Sequence, residues 1–259
     1  MTALHFDDVV RRLRDAGCVF AEEEAELLVA AAGSKQELAT MVDQRATGRP
    51  LEHIVGWAEF CGRRYVVEPG VFVPRRRTEF LVEHAATLTP PGAVVVDLCC
   101  GSGALGAALA AVAGPIELHA TDVDPAAVRC ARRNVEGTVY EGDLFDALPA
   151  RLRSRVDVLL ANVPYVPTGD IELMPAEARL HEARVALDGG ADGLDVLRRV
   201  AAAARGWLAP GGQLLSETSE RQAPVAVAVL AAADLDARVI TDDDCGATVI
   251  VGTMLGDRR

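Results

Sequence analysis

The spacing of hydrophobic positions changes along this chain at about residue 78. Up to about residue 58, apolar residues recur at helical spacing, first in HFDDVVRRL and then in AEEEAELLVAAAG. A third helix is predicted to begin after Ser34, because Glu37 three residues later completes a capping-box pattern. This first zone is therefore predicted to be a small helical bundle.

From about residue 78, strand-like and helix-like segments alternate, which predicts a mostly parallel sheet with helices on both faces. The seven predicted strands cover residues 93–99, 116–122, 138–143, 156–162, 211–218, 237–241 and 247–254. The alanine-rich helices predicted between them cover residues 103–113, 125–134, 192–206 and 220–233. Residues 163–190 lack clear periodicity, and a loop of that length inside a compact domain is usually functional.

The segment between the two zones alternates apolar residues around Gly62 and then carries proline and glycine, as in a hairpin that leads into a loop. We therefore predict three parts: a small helical domain over residues 1–58, a hairpin and loop linker over 59–77, and an α/β domain over 78–259.

Composition narrows the class of protein. The chain has 259 residues, of which 50% are hydrophobic and 25% charged, as in ordinary globular proteins. No apolar run reaches the roughly 20 residues that cross a bilayer, and the first residues lack a signal-peptide pattern, so a cytoplasmic protein is predicted. Six cysteines and five histidines show no metal-ligand spacing, so no metal site is predicted. The net charge of −12 argues against a protein that mainly binds phosphates.

Three acids, Asp97, Asp122 and Asp143, end three successive predicted strands. The first strand runs into the turn CCGSG, residues 99–103, where glycines let the backbone approach a ligand closely. Asp122 follows that turn by about 20 residues, where a carboxylate can accept both ribose hydroxyls. A plain strand-to-helix turn capped by Asp97 is the alternative for the first acid. The negative charge favours a cofactor with a positive centre and no phosphate, which describes S-adenosylmethionine.

The order of these segments resembles a Class I methyltransferase, and more narrowly the HemK/PrmC family of protein-(glutamine amide) methyltransferases. The resemblance runs from about Arg45 to Met254 and rests on the segments RATGRPLEHIVGWAEFCGRRYVVEPGVFVPR, DLCCGSGALG, ATDVDPAAV, NVPYVP, HEARVALDGGADGLDVLRR and LAPGGQLLSETSERQ. It implies a seven-stranded, mostly parallel methyltransferase (Rossmann-like) sheet and a helical domain that helps hold a protein substrate.

The resemblance also implies site residues. Asp122 would hold the ribose of S-adenosylmethionine, and Asp143 and Leu144 would flank its adenine. The predicted cofactor-binding residues are Asp97, Cys99, Cys100, Gly101, Ser102, Gly103, Asp122, Asp143, Leu144 and Asn162. The implied partner is a protein that presents a glutamine, such as a peptide chain release factor, with no sequence-specific nucleic acid and no membrane.

The motif Asn162, Val163, Pro164 and Tyr165 is the predicted catalytic element. An amide nitrogen is a poor nucleophile, and a site can activate it by holding its N–H groups so that the lone pair points at the methyl group. Asn162 would offer its side-chain oxygen and Val163 its backbone carbonyl, while Pro164 stiffens the turn and Tyr165 supplies a flat surface. The alternative interpretation is a strand that ends at a proline turn.

Several departures from the family pattern leave the substrate open. Cys99 stands where the first motif glycine is usual, Val163 replaces a proline, and Ser219 replaces a glycine. An adenine-amine methyltransferase, or a catalytically silent cofactor-binding protein, remain alternatives.

Charged and aromatic residues outside these motifs receive plainer interpretations. The cluster Arg75, Arg76 and Arg77 is predicted by default to be a solvated loop face. Two interpretations of Glu182 stay open: it lies in a segment that folds over the site, or it is a charge on a solvated loop. His53 and Trp57 are predicted to pack at the joint between the two zones.

Overall fold

The computed structural model describes residues 5–256, and its N-terminal part is a bundle of helices. Ser34 caps the third helix as predicted, since the Glu37 backbone N–H donates to its hydroxyl at 3.1 Å. A hydrophobic cluster that includes Leu13, Leu28 and Met41 joins the helices. The helices are α1 (Phe6–Asp15), α2 (Ala21–Ala31), α3 (Lys35–Ala46) and α4 (Leu51–Val55).

A two-stranded antiparallel hairpin follows, formed by β1 (Trp57–Phe60) and β2 (Arg63–Val66). Its turn lies at Gly62, as the alternating pattern predicts, and the chain continues through a loop to helix α5 (Glu79–Leu88). The sequence analysis did not predict α5. The division into three parts stays a prediction, and its outermost residues, 1–4 and 257–259, lie outside the described residues.

The main sheet contains seven strands in the order β5-β4-β3-β6-β7-β9-β8. Strands β3 to β7 are paired in parallel, and β9 runs antiparallel to both β7 and β8. The predicted seven-stranded, mostly parallel sheet is therefore correct. The strands are β3 (Val94–Leu98), β4 (Glu117–Asp122), β5 (Thr138–Glu141), β6 (Val156–Ala161), β7 (Leu208–Glu217), β8 (Leu235–Asp242) and β9 (Ala247–Met254).

Helices cover both faces of this sheet, and each face has its own hydrophobic cluster. β3 is buried along its whole length, as expected for a central parallel strand. Register pairs Leu98 with Thr121 of β4 and with Ala161 of β6, so the carboxyl ends of three strands meet at one edge. The covering helices are α5, α6 (Ala104–Ala113), α7 (Pro125–Asn134), α9 (Asp195–Ala204) and α10 (Ala223–Ala232).

The segment without periodicity, residues 163–190, folds over this edge in short pieces. It contains a 3₁₀ segment at Thr168–Leu173, the helix α8 (Ala176–His181) and a 3₁₀ turn at Arg184–Ala186. Isolated bridges tie Glu182 to Gly70 and Asp188 to Val166. No helix within residues 5–256 is both long enough and apolar enough to span a bilayer.

Gly103 provides a test of how α6 packs on α7. Its φ is +76°, and a Cβ there would lie 2.6 Å from Val135 Cγ2. Gly56 has a similar left-handed conformation, with φ +83°, and a Cβ there would meet nothing within 4 Å. We expect Gly56→Ala to destabilise the protein by about 1–2 kcal/mol from backbone strain, and Gly103→Ala by about 1–3 kcal/mol more from overpacking.

Urea unfolding of the two variants measures this difference directly. Equal losses in the two variants would show that α6 and α7 are not in close contact at Gly103.

Candidate active site

One pocket at the carboxyl edge of the sheet collects nearly all the residues that the sequence singles out. Its lining includes Asp97, Cys99, Cys100, Gly101, Ser102, Asp122, Asp143, Leu144, Asn162, Val163, Pro164 and Tyr165. Parallel pairing explains the convergence, because the loops after β3, β4, β5 and β6 all leave from the same edge. The remaining predicted residue, Gly103, lies against α7, where its conformation and small size explain the glycine without a cofactor.

The turn after β3 is held by the acid that ends β4. The Gly101 backbone N–H donates to one oxygen of Asp122 at 2.9 Å, and the Asp124 N–H donates to the other at 2.9 Å. Burial raises the pKa of Asp122, and these backbone N–H groups lower it. Each carboxylate oxygen keeps accepting capacity beyond one hydrogen bond, so Asp122 can still accept hydroxyl groups from a ligand.

Cys99 keeps the conformation that a glycine would favour at its position. Its φ is +54°, in the left-handed region, and Gly101 and Gly103 of the same turn have φ of +55° and +76°. A non-glycine residue in this region costs on the order of 1 kcal/mol. Cys99 therefore holds a backbone conformation that a glycine would adopt without this cost.

Asp97 lies beneath the turn and is 1% exposed. The Gly106 backbone N–H donates to it at 2.9 Å, which ties the first turn of α6 to β3. Burial, with a further contribution from the charge of Asp122, raises the pKa of Asp97 to about 7.

The arginines that line the pocket are each paired with a carboxylate. Arg75 contacts Glu182 at 2.6 Å, Arg77 contacts Glu217 at 2.8 Å, and Arg199 contacts Asp143 at 2.6 Å. Within the described part of the chain, the pocket thus offers no unpaired cation for a phosphate group. It offers several acids, which suit a positively charged ligand.

The default prediction of a solvated arginine cluster is wrong for Arg75, which is half-buried, whereas Arg77 is 45% exposed and also contacts buried Glu217. The Glu182 side chain is 1% exposed, and it also accepts from the Val73 N–H at 3.2 Å. Glu182 is therefore buried beside Arg75, which lines the pocket, rather than in solvent. Sequence spacing carries no sign of these pairs, because 107 residues separate Arg75 from Glu182 and 140 separate Arg77 from Glu217.

His53 and Trp57 lie where packing was predicted. His53 is 6% exposed, and its Nε2 lies 2.8 Å from the carbonyl oxygen of Val71. Trp57 packs under the guanidinium of Arg64, which lies 3.9 Å from the ring centre.

Asn162 follows the last residue of β6, and its side-chain oxygen is an unpaired hydrogen-bond acceptor among the described residues. Its side-chain oxygen is buried and has no hydrogen-bond partner among residues 5–256. The carbonyl oxygen of Val163 likewise accepts no hydrogen bond from any described residue. Buried polar groups are nearly always paired in native proteins, so unpaired acceptors on two consecutive residues that line the pocket indicate a ligand with N–H groups.

Comparisons with known proteins agree with this geometry. A family model described as "Methyltransferase small domain" matches residues 64–197. The release factor glutamine methyltransferase of Geobacter sulfurreducens is 37% identical over 221 residues, which are 83% of this chain and 77% of that protein. The chain belongs to the HemK/PrmC family of methyltransferases.

Two further similarities concern the fold of this HemK/PrmC protein and a relative that is named for a different substrate. A methyltransferase of Pyrococcus furiosus has a TM-score of 0.57 at 16% identity, over 75% of this chain and 90% of that one, which shows the shared fold. A 4-amino-L-phenylalanine/4-methylamino-L-phenylalanine methyltransferase of Streptomyces pristinaespiralis is 37% identical over 193 residues, 70% of this chain and 65% of that protein.

S-adenosylmethionine is the cofactor of HemK/PrmC methyltransferases, and the residues of the pocket fit it. The fit rests on the acids along the strand ends, on arginines that are already paired, and on the acceptors that Asp122 retains. Asp122 and the backbone of the 99–103 turn would hold the cofactor, with Asp143 and Leu144 at its far end. These residue assignments stay predictions.

The raised pKa of Asp97 makes a pH-dependent prediction. In the folded protein Asp97 keeps its proton up to about pH 7, whereas an unfolded chain releases it near pH 3.8. This contribution to stability is complete below the lower pKa and is lost as pH rises through the higher one. We therefore expect the melting temperature of Asp97→Asn to rise relative to that of the parent as the pH goes from about 4 to about 7, with no further change above that.

Thermal unfolding at several pH values measures this difference, with Glu136→Gln on the surface as the control. A difference between Asp97→Asn and the parent that does not change with pH would contradict a proton on Asp97.

Proposed function

We propose that this methyltransferase transfers the methyl group of S-adenosylmethionine to the side-chain amide nitrogen of a glutamine. Its substrate would be a protein of the translation apparatus, such as a release factor, and it would act in the cytoplasm. The observation that carries this proposal is the pair of free acceptors at the end of β6, Asn162 Oδ1 and the Val163 carbonyl.

A primary amide presents two N–H groups, and two acceptors match them. When bound, S-adenosylmethionine supplies an electrophilic methyl group on a positively charged sulfur. Asn162 and Val163 would hold the amide so that its nitrogen lone pair, rather than an N–H bond, faces that methyl group. The nitrogen would form a bond to the methyl carbon as the sulfur–methyl bond breaks, which leaves a neutral thioether. The extra proton of the methylated nitrogen would be released to solvent, so the product is a secondary amide.

The same acceptors stabilise the charge that develops during the reaction. As the amide nitrogen forms its new bond it becomes more positive, and its N–H groups become stronger donors. Fixed acceptors in a site with little water favour this state over the ground state, which lowers the barrier without a general base. Asp122, which also lines the pocket, adds negative potential there.

The relatives support a glutamine substrate in part and also suggest a second candidate. The Geobacter relative is named for release factor glutamine, whereas the Streptomyces relative is named for an aromatic amine on an amino acid. A primary arylamine also has two N–H groups, so it fits the same acceptors. We favour the glutamine because the similarity to the Geobacter protein covers more of both chains.

A direct test of the substrate uses methyl-labelled S-adenosylmethionine and three probes. These probes are a recombinant bacterial release factor with a Gly-Gly-Gln loop, free 4-amino-L-phenylalanine and an adenine-containing oligonucleotide. We expect label in the release factor alone, on one glutamine identified by mass spectrometry. Label in the amino acid or in adenine, with none in the release factor, would overturn the glutamine proposal.

Variants of the motif test the role of the two acceptors. Asn162→Ala should lower the single-turnover rate at saturating cofactor on the order of 100-fold or more, because one fixed partner of the transition state is lost. Val163→Pro keeps the backbone carbonyl and suits an extended residue 162, so its rate should stay within about tenfold of the parent.

Stability provides the matching control. The Asn162 side-chain oxygen makes no hydrogen bond within residues 5–256, so its removal should not lower the melting temperature. A slow Asn162→Ala variant that also unfolds early would indicate a structural role. A fast, folded Asn162→Ala variant would contradict the acceptor role.

A further inference from the structure

Glu217, the last residue of β7, is a buried carboxylate next to the proposed methyl-acceptor site. Its side chain is 2% exposed. One oxygen accepts from the Tyr165 hydroxyl at 2.6 Å and from Arg77 Nε at 2.8 Å. The other accepts from the Thr78 hydroxyl at 2.5 Å. The loop after β2 and the loop after β6 therefore meet on one carboxylate.

The chemistry of these groups fixes the direction of each hydrogen bond. Arg77 Nη2 lies 2.7 Å from the Tyr165 oxygen, and a guanidinium can only donate. The Tyr165 hydroxyl must then accept from Arg77 and donate its own proton to Glu217. Burial, together with the negative charge of Glu217, raises the pKa of Tyr165, which keeps that proton in place. The tip of the ring is thus held by two different partners.

The backbone of Tyr165 is held as firmly as its hydroxyl. Gln222 Nε2 donates to the Tyr165 carbonyl at 2.9 Å and to the Asp192 carbonyl at 2.8 Å. At Gly193 a Cβ would lie 2.2 Å from the Tyr165 carbonyl oxygen, so only glycine allows this close approach. Tyr165 is therefore fixed at both ends, three residues after Asn162 in the same turn.

We infer that Glu217 is a positioning residue for methyl transfer, which acts through the Tyr165 hydroxyl to fix the aromatic wall of the acceptor site. This inference rests on the proposed function and names a residue outside the Asn162–Tyr165 motif. A ring that is locked in place keeps a planar amide between it and the two acceptors, and the reaction depends on that alignment. Glu217 does not itself touch the reacting atoms.

A role in stability alone is the competing explanation. Glu217 is buried, whereas the Arg77 side chain is 45% exposed. Removing a group that a buried charge is paired with destabilises a protein, so the melting temperature must be measured for each variant. In the stability explanation, loss of the Tyr165 hydroxyl or of the Glu217 charge would lower the melting temperature, while variants that stay folded would keep a rate near that of the parent. In the positioning explanation, folded variants lose rate, and the two rate losses do not add because both changes break one interaction.

The experiment is a double-mutant cycle of Tyr165→Phe and Glu217→Gln, measured as single-turnover methylation of the release factor at saturating cofactor. Each single variant should be about 10- to 100-fold slower than the parent, as for a misplaced reacting group. The double variant should be no slower than the slower single variant. Calorimetric affinity for S-adenosylmethionine should stay within about twofold of the parent, well under 1 kcal/mol.

Two controls are matched to these changes. Tyr140→Phe removes a hydroxyl whose partner is His119, at 3.2 Å, and Arg76→Ala removes an exposed neighbour of Arg77. Both should keep the parent rate. Parent rates in the Tyr165→Phe and Glu217→Gln variants, or losses that multiply in the double variant, would overturn the inference.

A spectroscopic readout separates this inference from the proposed function. The chain has three tyrosines, so a ¹³C-tyrosine NMR spectrum is simple, and Tyr165→Phe assigns the Tyr165 signal. Glu217→Gln should shift and broaden that signal and leave the other two in place. If the parent methylates no glutamine, the proposed function fails, while this spectrum still tests whether Glu217 holds the Tyr165 ring. An unchanged Tyr165 signal in Glu217→Gln would show that Glu217 does not hold the ring.

Discussion

Parallel pairing of β3 with β4 and β6 is the constraint on which the rest of the site depends. Parallel strands point their carboxyl ends the same way, so every loop that carries a site residue leaves from one edge. In this chain that edge receives the 99–103 turn, Asp122 and the motif that begins at Asn162. The sheet is buried on both faces, which makes the edge rigid and keeps these loops in register.

The acids at this edge are held in two ways. Backbone N–H groups donate to Asp97 and Asp122. Arginines pair with Asp143, Glu182 and Glu217. Because the arginines are engaged, the pocket favours a cationic ligand, and the unpaired acceptors at Asn162 and Val163 remain for a neutral donor.

Local patterns predicted most of the sheet and most of the pocket, because strand periodicity and the residues at strand ends are local signals. Helix α5, which lies between a loop and strand β3, was not predicted. The helical segments within 163–190 are too short to show a repeat of hydrophobic positions. The pairs Arg75–Glu182 and Arg77–Glu217 join residues more than a hundred positions apart. Spacing along the chain cannot reveal such contacts, so the contact of Glu217 with Tyr165 could be found only in the folded structure.

The central claim is that Asn162 and Val163 hold the two N–H groups of a substrate amide. A crystal structure of the protein with S-adenosylhomocysteine and a glutamine-containing release factor tests it most directly. The account predicts the glutamine amide nitrogen at about 3 Å from both Asn162 Oδ1 and the Val163 carbonyl oxygen, beside the Tyr165 ring. A glutamine bound elsewhere, with Asn162 Oδ1 still unpaired in the complex, would contradict it.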